Sequence, residues 1–268
     1  MYQRSEITLR DGTVLRYIDE GAGPAILILP GLSSSVAKFE KQVDGLRDRF
    51  RVIALDPRGH GESDAPPRGY DFPTLARDLH EFLTHLAVDR LTVLGHSAAC
   101  KIVLTYWEIY DGAGIARVVL SDDAPACVAD GAVSEDEAAE VLKRMEGPDG
   151  DEYRRGFSDQ FLSEAADQAT RDFFVEETLK MPTLAHAKLL RWALYGDWWD
   201  AVPLIDVPAL IIGGRASKNP WQNMVRIHEA IPQSDIVIFE EHEGGGHAMY
   251  WENPEKYNRI LTEFLESA

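Results

Sequence analysis

Six short apolar runs, at 25–29, 51–55, 91–94, 116–120, 209–212 and 236–239, set the terms on which this chain can fold. A strand with one wet face alternates apolar and polar residues, whereas a strand covered on both faces does not. Here alternation is largely missing, so the runs predict parallel strands in the middle of a sheet. Helical patterns such as 74–83 separate most of them, and strand alternating with helix predicts an open, mostly parallel α/β sheet. Ligands of such sheets bind at the carboxyl ends of the strands. Upstream, 6–10 and 13–17 flank Asp11-Gly12, which predicts a two-residue hairpin between two half-buried strands.

The rhythm breaks once. Between Pro125 and Pro203 no strand-like run appears, and helical patterns cover 134–145, 167–181 and 184–195, the first opening on Ser134 as N-cap with an acidic first turn. The division expected is a core of 1–124 and 204–268 with a helical cap at 125–203. Phe173, Phe174, Trp192, Tyr195, Trp198 and Trp199 fall in the insertion. Each alone reads as ordinary packing, but together they suggest an apolar roof. Trp192, Tyr195 and Trp198, with Trp221 beyond the insertion, are the candidate pocket residues.

A length of 268 residues allows one domain with an insertion. Lys and Arg number 27 against 45 Asp and Glu, a net charge of −18. Such a surface repels phosphate backbones and anionic membranes, so nucleic acid is excluded as a partner. No apolar run reaches the roughly 20 residues that span a bilayer, and no signal-like stretch follows Met1. The expectation is a cytoplasmic protein that starts near residue 1. Cys100 and Cys127 have neither disulfide-framework nor metal-ligand spacing and read as buried thiols. No metal or cofactor is expected.

At the end of the third predicted parallel strand the chain reads Gly95-His96-Ser97-Ala98-Ala99 and then turns helical. A serine hydroxyl is a poor nucleophile unless a base takes its proton and preformed donors receive the charge pushed onto the attacked carbonyl. A sharp strand-to-helix turn lifts Ser97 clear of the sheet and aims the Ala98 N–H at the same space. A serine between small residues is commonly only a cap, so the reading depends on what else gathers at the strand ends. Pro30-Gly31-Leu32 can present the Leu32 N–H as a second donor, and Ser33 to Ser35 read otherwise as caps. Glu243-Gly244-Gly245-Gly246-His247 brings a histidine on a glycine-rich approach. His247 is the preferred base, with His242 and His60 as competitors.

Pro30-Gly31-Leu32, Asp56-Pro57-Arg58-Gly59-His60-Gly61-Glu62-Ser63, Gly95-His96-Ser97-Ala98-Ala99, the stretch from Val202 to Arg215, and Gly246-His247 followed by Glu252-Asn253-Pro254-Glu255 together resemble an α/β-hydrolase-fold protein. The likeness covers nearly the whole chain outside the insertion, in the family's order. It implies a cofactor-free Ser-His-acid hydrolase with Ser97 as nucleophile, His247 as base, and Leu32 and Ala98 as the oxyanion hole. Two departures stand out. Pro30 replaces the usual histidine, which removes an anchoring hydrogen bond of that loop. The loop that usually carries the acid reads Arg215-Ala216-Ser217-Lys218-Asn219 and has no carboxylate.

Some branches of the family, certain lipases and the zearalenone-type lactonases among them, carry the acid at the end of the preceding strand. Here that place reads Leu120-Ser121-Asp122-Asp123-Ala124-Pro125. Alignment on the strand and the proline puts the acid on Asp122, with Asp123 as the alternative. The function implied is cleavage of a small apolar carboxylic ester or lactone. The same residues would serve a C–C-bond hydrolase or a perhydrolase of the haloperoxidase type, and the scaffold also hosts non-catalytic ligand-binding proteins.

Overall fold

The computed structural model describes residues 2–88 and 90–267. Eight strands run in chain order as β1 (Ser5–Thr8), β2 (Val14–Glu20), β3 (Ala25–Leu29), β4 (Arg51–Asp56), β5 (Leu91–His96), β6 (Ile115–Ser121), β7 (Ala209–Gly214) and β8 (Ser234–Phe239). They form one sheet in the order β1-β2-β4-β3-β5-β6-β7-β8. β1 and β2 are antiparallel to their neighbours, and every pairing from β4 across to β8 is parallel.

The missing alternation has its cause in two covered faces. Leu27, Leu29, Ile53, Leu55 and Val93 point into one core with α2 (Phe72–Leu86) and α3 (Ala99–Tyr110). Ile26, Ile28, Val52, Ala54 and Leu94 point into the other, beneath α1 (Glu40–Leu46) and the C-terminal helix. Each such fully buried aliphatic side chain contributes about 1.5–3 kcal/mol.

The first hairpin differs from expectation. Leu9 N–H donates to Thr13 C=O, Gly12 N–H returns to Leu9 C=O, and Gly12 has φ +87°. The loop is therefore Arg10-Asp11-Gly12, three residues with glycine in the left-handed position, a hairpin class that the same Asp-Gly pair serves. Asp11 accepts from Thr13 N–H at 3.0 Å and so favours this longer loop.

Between β6 and β7 lie α4 (Glu135–Glu146), α5 (Gly150–Asp159), α6 (Gln168–Leu179) and α7 (Thr183–Tyr195). Ser134 caps α4 in a full capping box with Glu137, and Asp167 caps α6. The segment leaves and returns at one place. Ala126 bridges Asp197, Trp198 N–H donates to Pro125 C=O at 3.2 Å, and Val128 N–H to Leu194 C=O at 3.1 Å. After β7 come α8 (Trp221–Ala230), α9 (Met249–Glu252) and α10 (Pro254–Glu266), the last packed beside α1. Among the described residues no helix is long and apolar enough to cross a membrane.

Candidate active site

The register of the central strands builds the site. Leu29 of β3 pairs with Gly95, His96 with Ser121 of β6, and Ser121 with Ile212 of β7. The ladder then runs one residue further: Ser97 N–H donates to Ser121 C=O and Asp122 N–H to Ile212 C=O, each at 2.8 Å. At that residue the chain turns off the sheet. Ser97 has φ +54° and Asp122 φ +55°, a left-handed conformation uncommon outside glycine and costly unless the surroundings impose it. Ser33, beside Leu32, shares it at φ +54°. Ala87 and Asp111, with the same backbone sign, merely end α2 and α3. Three of the six such non-glycine residues among those described thus stand where side chains are lifted clear of the strand ends.

His247 Nδ1 lies 2.6 Å from Asp122 Oδ2, and the Asp122 side chain is fully buried. Asp123, the alternative acid, is engaged elsewhere: both of its oxygens take Lys101 Nζ, at 2.7 and 2.6 Å, and Lys101 also reaches Ala124 C=O at 2.7 Å. Of the competing histidines, His242 is exposed on a short 3-10 turn. His60 is buried against Arg58 C=O, and burial pushes its pKa down to about 4. Ser97 and His247 line one cavity of about 270 Å³. No hydrogen bond joins the two side chains, a contact that in many such sites tightens only around a substrate.

Of the glycines before His247, Gly245 serves close approach and Gly244 a left-handed turn at φ +74°. A Cβ on Gly245 would lie 2.5 Å from Phe239 C=O, and Gly245 C=O accepts from Ala216 N–H at 2.9 Å. The loop is thereby clamped between the ends of β7 and β8. His96 secures it from the other side, its Nε2 lying 3.0 Å from the His247 carbonyl oxygen. On the opposite wall, Gly31 presses on the serine: a Cβ there would stand 2.8 Å from Ser97 Cβ. Ser34 N–H closes the turn onto Gly31 C=O at 3.0 Å. Neither Leu32 nor Ala98 donates its N–H to a loop or cap carbonyl among the described residues, and both line the cavity. The anchor that Pro30 cannot supply comes from side chains further on. Ser33 Oγ meets His186 Nδ1, Ser35 Oγ donates to Glu177 at 2.5 Å, and Val36 N–H to Asp56 at 2.7 Å. Ser33 and Ser35 therefore tie the loop to the inserted helices instead of capping.

Ser217, in the acid-free loop, donates to Asp122 Oδ2 at 2.5 Å. Asn219 Nδ2 holds the Asp122 carbonyl at 2.7 Å. The loop thus supports a carboxylate it does not carry. Burial holds the Cys100 thiol well above its usual range, in keeping with a packing role.

The pocket aromatics are a correction. Trp192 and Tyr195 are each 46% exposed, and Trp198 packs edge-on to Phe72 with its N–H on Thr105 Oγ1 at 2.8 Å. Trp221 carries the Arg215 guanidinium 4.0 Å above its ring. None of the four lines the cavity. The stripe of α7 that does is His186, Leu190, Ala193 and Leu194, and at helical spacing Trp192 and Tyr195 fall on other faces. Phe174 lines the cavity, whereas Phe173 stacks on Trp251 and Trp199 donates to Asp130. Beside Tyr250, Phe157 and Phe161 supply the rest of the aromatic wall, Phe161 with its ring 4.6 Å from that of His247. Both belong to α5 and its exit, the one inserted helix that the sequence pattern did not reveal.

Comparison with known proteins agrees with this architecture. Residues 24–161 match the family described as alpha/beta hydrolase fold. A putative non-heme chloroperoxidase of Synechocystis sp. is 28% identical, with 93% of this chain and 94% of that protein covered. An esterase from Exiguobacterium antarcticum superposes with a TM-score of 0.89 at 26% identity, over 99% of this chain and 100% of the other. A bromoperoxidase from Bacillus anthracis superposes with a TM-score of 0.92 at 22% identity, over 99% and 100%.

Proposed function

This chain belongs to the alpha/beta hydrolase fold family and is an enzyme of the hydrolase type; from that premise we propose that it cleaves a small carboxylic ester or lactone through a Ser97–His247–Asp122 triad. The observation that carries the reading is the buried 2.6 Å contact of His247 Nδ1 with Asp122. It fixes the tautomer that leaves Nε2 unprotonated and able to accept the serine proton. Ser97 Oγ then attacks the carbonyl carbon, and the oxyanion is received by the Leu32 and Ala98 N–H groups. His247 passes the proton to the leaving alkoxide, giving an acyl-enzyme and free alcohol. In the second half His247 takes a proton from water, hydroxide adds to the acyl carbon, and Ser97 leaves with the proton returned by His247. A lactone follows the same course, its alcohol remaining tethered to the acid product. Segment 125–203 acts as the cap, and its Val133, Val141, Phe157, Leu190 and Leu194 receive the apolar part of the substrate.

Labelling with a fluorophosphonate tests the reading. Stoichiometric modification of wild type, lost in Ser97→Ala, supports it; an unlabelled, folded wild type refutes it and favours a ligand-binding role.

The relatives named chloroperoxidase and bromoperoxidase favour one second reading, perhydrolysis. Hydrogen peroxide would replace water against the same acyl-enzyme, releasing a peracid and free Ser97. Peracid formed from an ester and peroxide at a rate above ester hydrolysis would make this the principal activity.

A further inference from the structure

The cavity wall carries a charge that the proposed chemistry does not use. Lys38 lies in the 3-10 turn Val36–Phe39 that follows the oxyanion loop, is 4% exposed, and lines the cavity with Ser97 and His247. Its Nζ has one hydrogen bond, to Thr178 Oγ1 at 3.0 Å, and sits 4.7 Å from the centre of the Phe174 ring. An ammonium has three protons to donate, so two remain, and no carboxylate stands within salt-bridge distance among the described residues. The other buried cation of the cavity, Lys101, is neutralised by Asp123.

The ionisable neighbours compensate Lys38 only in part. Glu177 is the nearest acid in effect, and its oxygens are taken by Ser35 at 2.5 Å and Lys180 at 2.8 Å. His60 and His96 are held neutral by burial. His186, 1% exposed, also lines the cavity; its Nδ1 meets Ser33 Oγ while its Nε2 is buried without a partner. Ser33 Oγ can give its one proton to Nδ1 or to Met181 Sδ at 3.4 Å; in the first arrangement His186 Nε2 carries a proton and is a second unused donor. An unpaired buried ammonium is costly, and that cost pushes the Lys38 pKa down to about 7. A cation kept at this cost in a protein of charge −18 calls for a partner that arrives from outside.

We infer that the polar end of the cavity, built on Lys38 with His186, binds a carboxylate of the substrate, so that the ester or lactone cleaved at Ser97 belongs to a molecule with a second, ionised carboxyl group. This rests on the hydrolase reading for the reaction but not for the binding site. Val133, Val141, Phe157, Leu190 and Leu194 would then hold the chain between the scissile carbonyl and the anionic end.

The test uses ethyl monoesters of succinate, glutarate and adipate, each against the ethyl ester of the matching carboxamide, which has the same shape without the charge. At pH 6.5 the carboxylate is expected to be preferred in kcat/KM by about tenfold or more at one chain length, roughly the effect of one charge-assisted hydrogen bond. Lys38→Met should abolish that ratio through KM, and Lys38→Arg should retain part of it. In wild type the ratio should fall from pH 6.5 to pH 9 as Lys38 loses its proton. No preference at any length, or a ratio untouched in Lys38→Met, overturns the inference. Calorimetric binding of adipate to Ser97→Ala, with and without Lys38→Gln, separates the two readings. Lys38-dependent binding without ester hydrolysis in wild type would leave the carboxylate site standing and remove the hydrolase; hydrolysis without such binding would do the reverse.

Discussion

The Ser217 hydroxyl and His247 Nδ1 converge on the same oxygen of Asp122, Oδ2, at 2.5 and 2.6 Å. Asp122 thereby links the loop after β7 to the glycine-rich loop of His247 through one oxygen, and it is the acid of the proposed triad. Asp122 and Ser217 stand just beyond the ends of adjacent strands, β6 and β7, so a carboxylate placed at 217 is expected to come within reach of the histidine.

Opposite signs are therefore expected from one substitution in two backgrounds. Ser217→Asp alone should lower activity, because two carboxylates sharing a buried site cannot both ionise freely. In an Asp122→Asn protein the same change should restore at least about tenfold of the roughly 10⁴-fold turnover lost, the loss known for the acid-to-amide change in a serine protease triad. Steady-state kinetics of the four proteins check this, and rescue in neither background would mean that the loop cannot deliver a carboxylate to His247.

Asp122 and Asp123, though neighbours in sequence, should fail differently. Asp122→Asn should stay folded and labelled while turning over slowly. Asp123→Asn leaves Lys101 buried without its partner and should cost about 3–5 kcal/mol of stability, seen in denaturant unfolding. A slow but fully stable Asp123→Asn protein would exchange the assignments.

Ser97→Ala and His247→Ala should each reduce ester turnover by about a million-fold. His242→Ala, on the surface, should change it less than about threefold. His60→Ala should act on stability through its buried packing. Rates for the three histidine variants at matched folded concentration decide between them, and a dead His242→Ala would show that the wrong base has been named.

The low affinity of Lys38 for its proton makes stability depend on pH. Its folded value is about 7 against an ordinary 10.5, so between these values the unfolded chain holds a proton that the folded chain has released. Stability from this group rises with pH across that window and its penalty is complete below it. Lys38→Met should raise Tm more at pH 6 than at pH 10. Equal gains at both would mean that Lys38 is folded without penalty.

Chain-length selectivity should respond to Phe157, Phe161 and Leu190, and not to Trp192 or Tyr195. Each methylene of substrate in contact is worth at most about 0.8 kcal/mol, so alanine at one of the first three should flatten the profile of ester rates against acyl length. A profile altered by Trp192→Ala alone would place the acyl chain on the outer face of α7.

The strands were legible because burial on both faces leaves an unmistakable apolar run, and the candidate site residues stood out because turns with fixed residue demands stand at the strand ends. The hairpin loop length was not, since Asp11-Gly12 suits two loop classes and a side-chain bond chooses between them. Helix α5 escaped because Gly150, Gly156 and a mostly charged surface leave few apolar positions to reveal its period. With it went Phe157 and Phe161. Lys38 had no signal in its own stretch of sequence; only the packing of Thr178 and Phe174 against it, about 140 residues on, shows that the charge is enclosed.

The closed neck of the inserted helices has an engineering consequence. Because Ala126 and Asp197 are paired, and Lys101 and Thr105 of α3 grip Ala124 and Trp198 on either side, the excursion begins and ends at a single fixed point on the helix that starts beside Ser97. A segment entering and leaving through one doorway invites exchange as a cassette, but a graft that keeps 124–128 and 194–198 must also supply counterparts of His186 and Glu177, through which Ser33 and Ser35 tie down the loop beside Ser97.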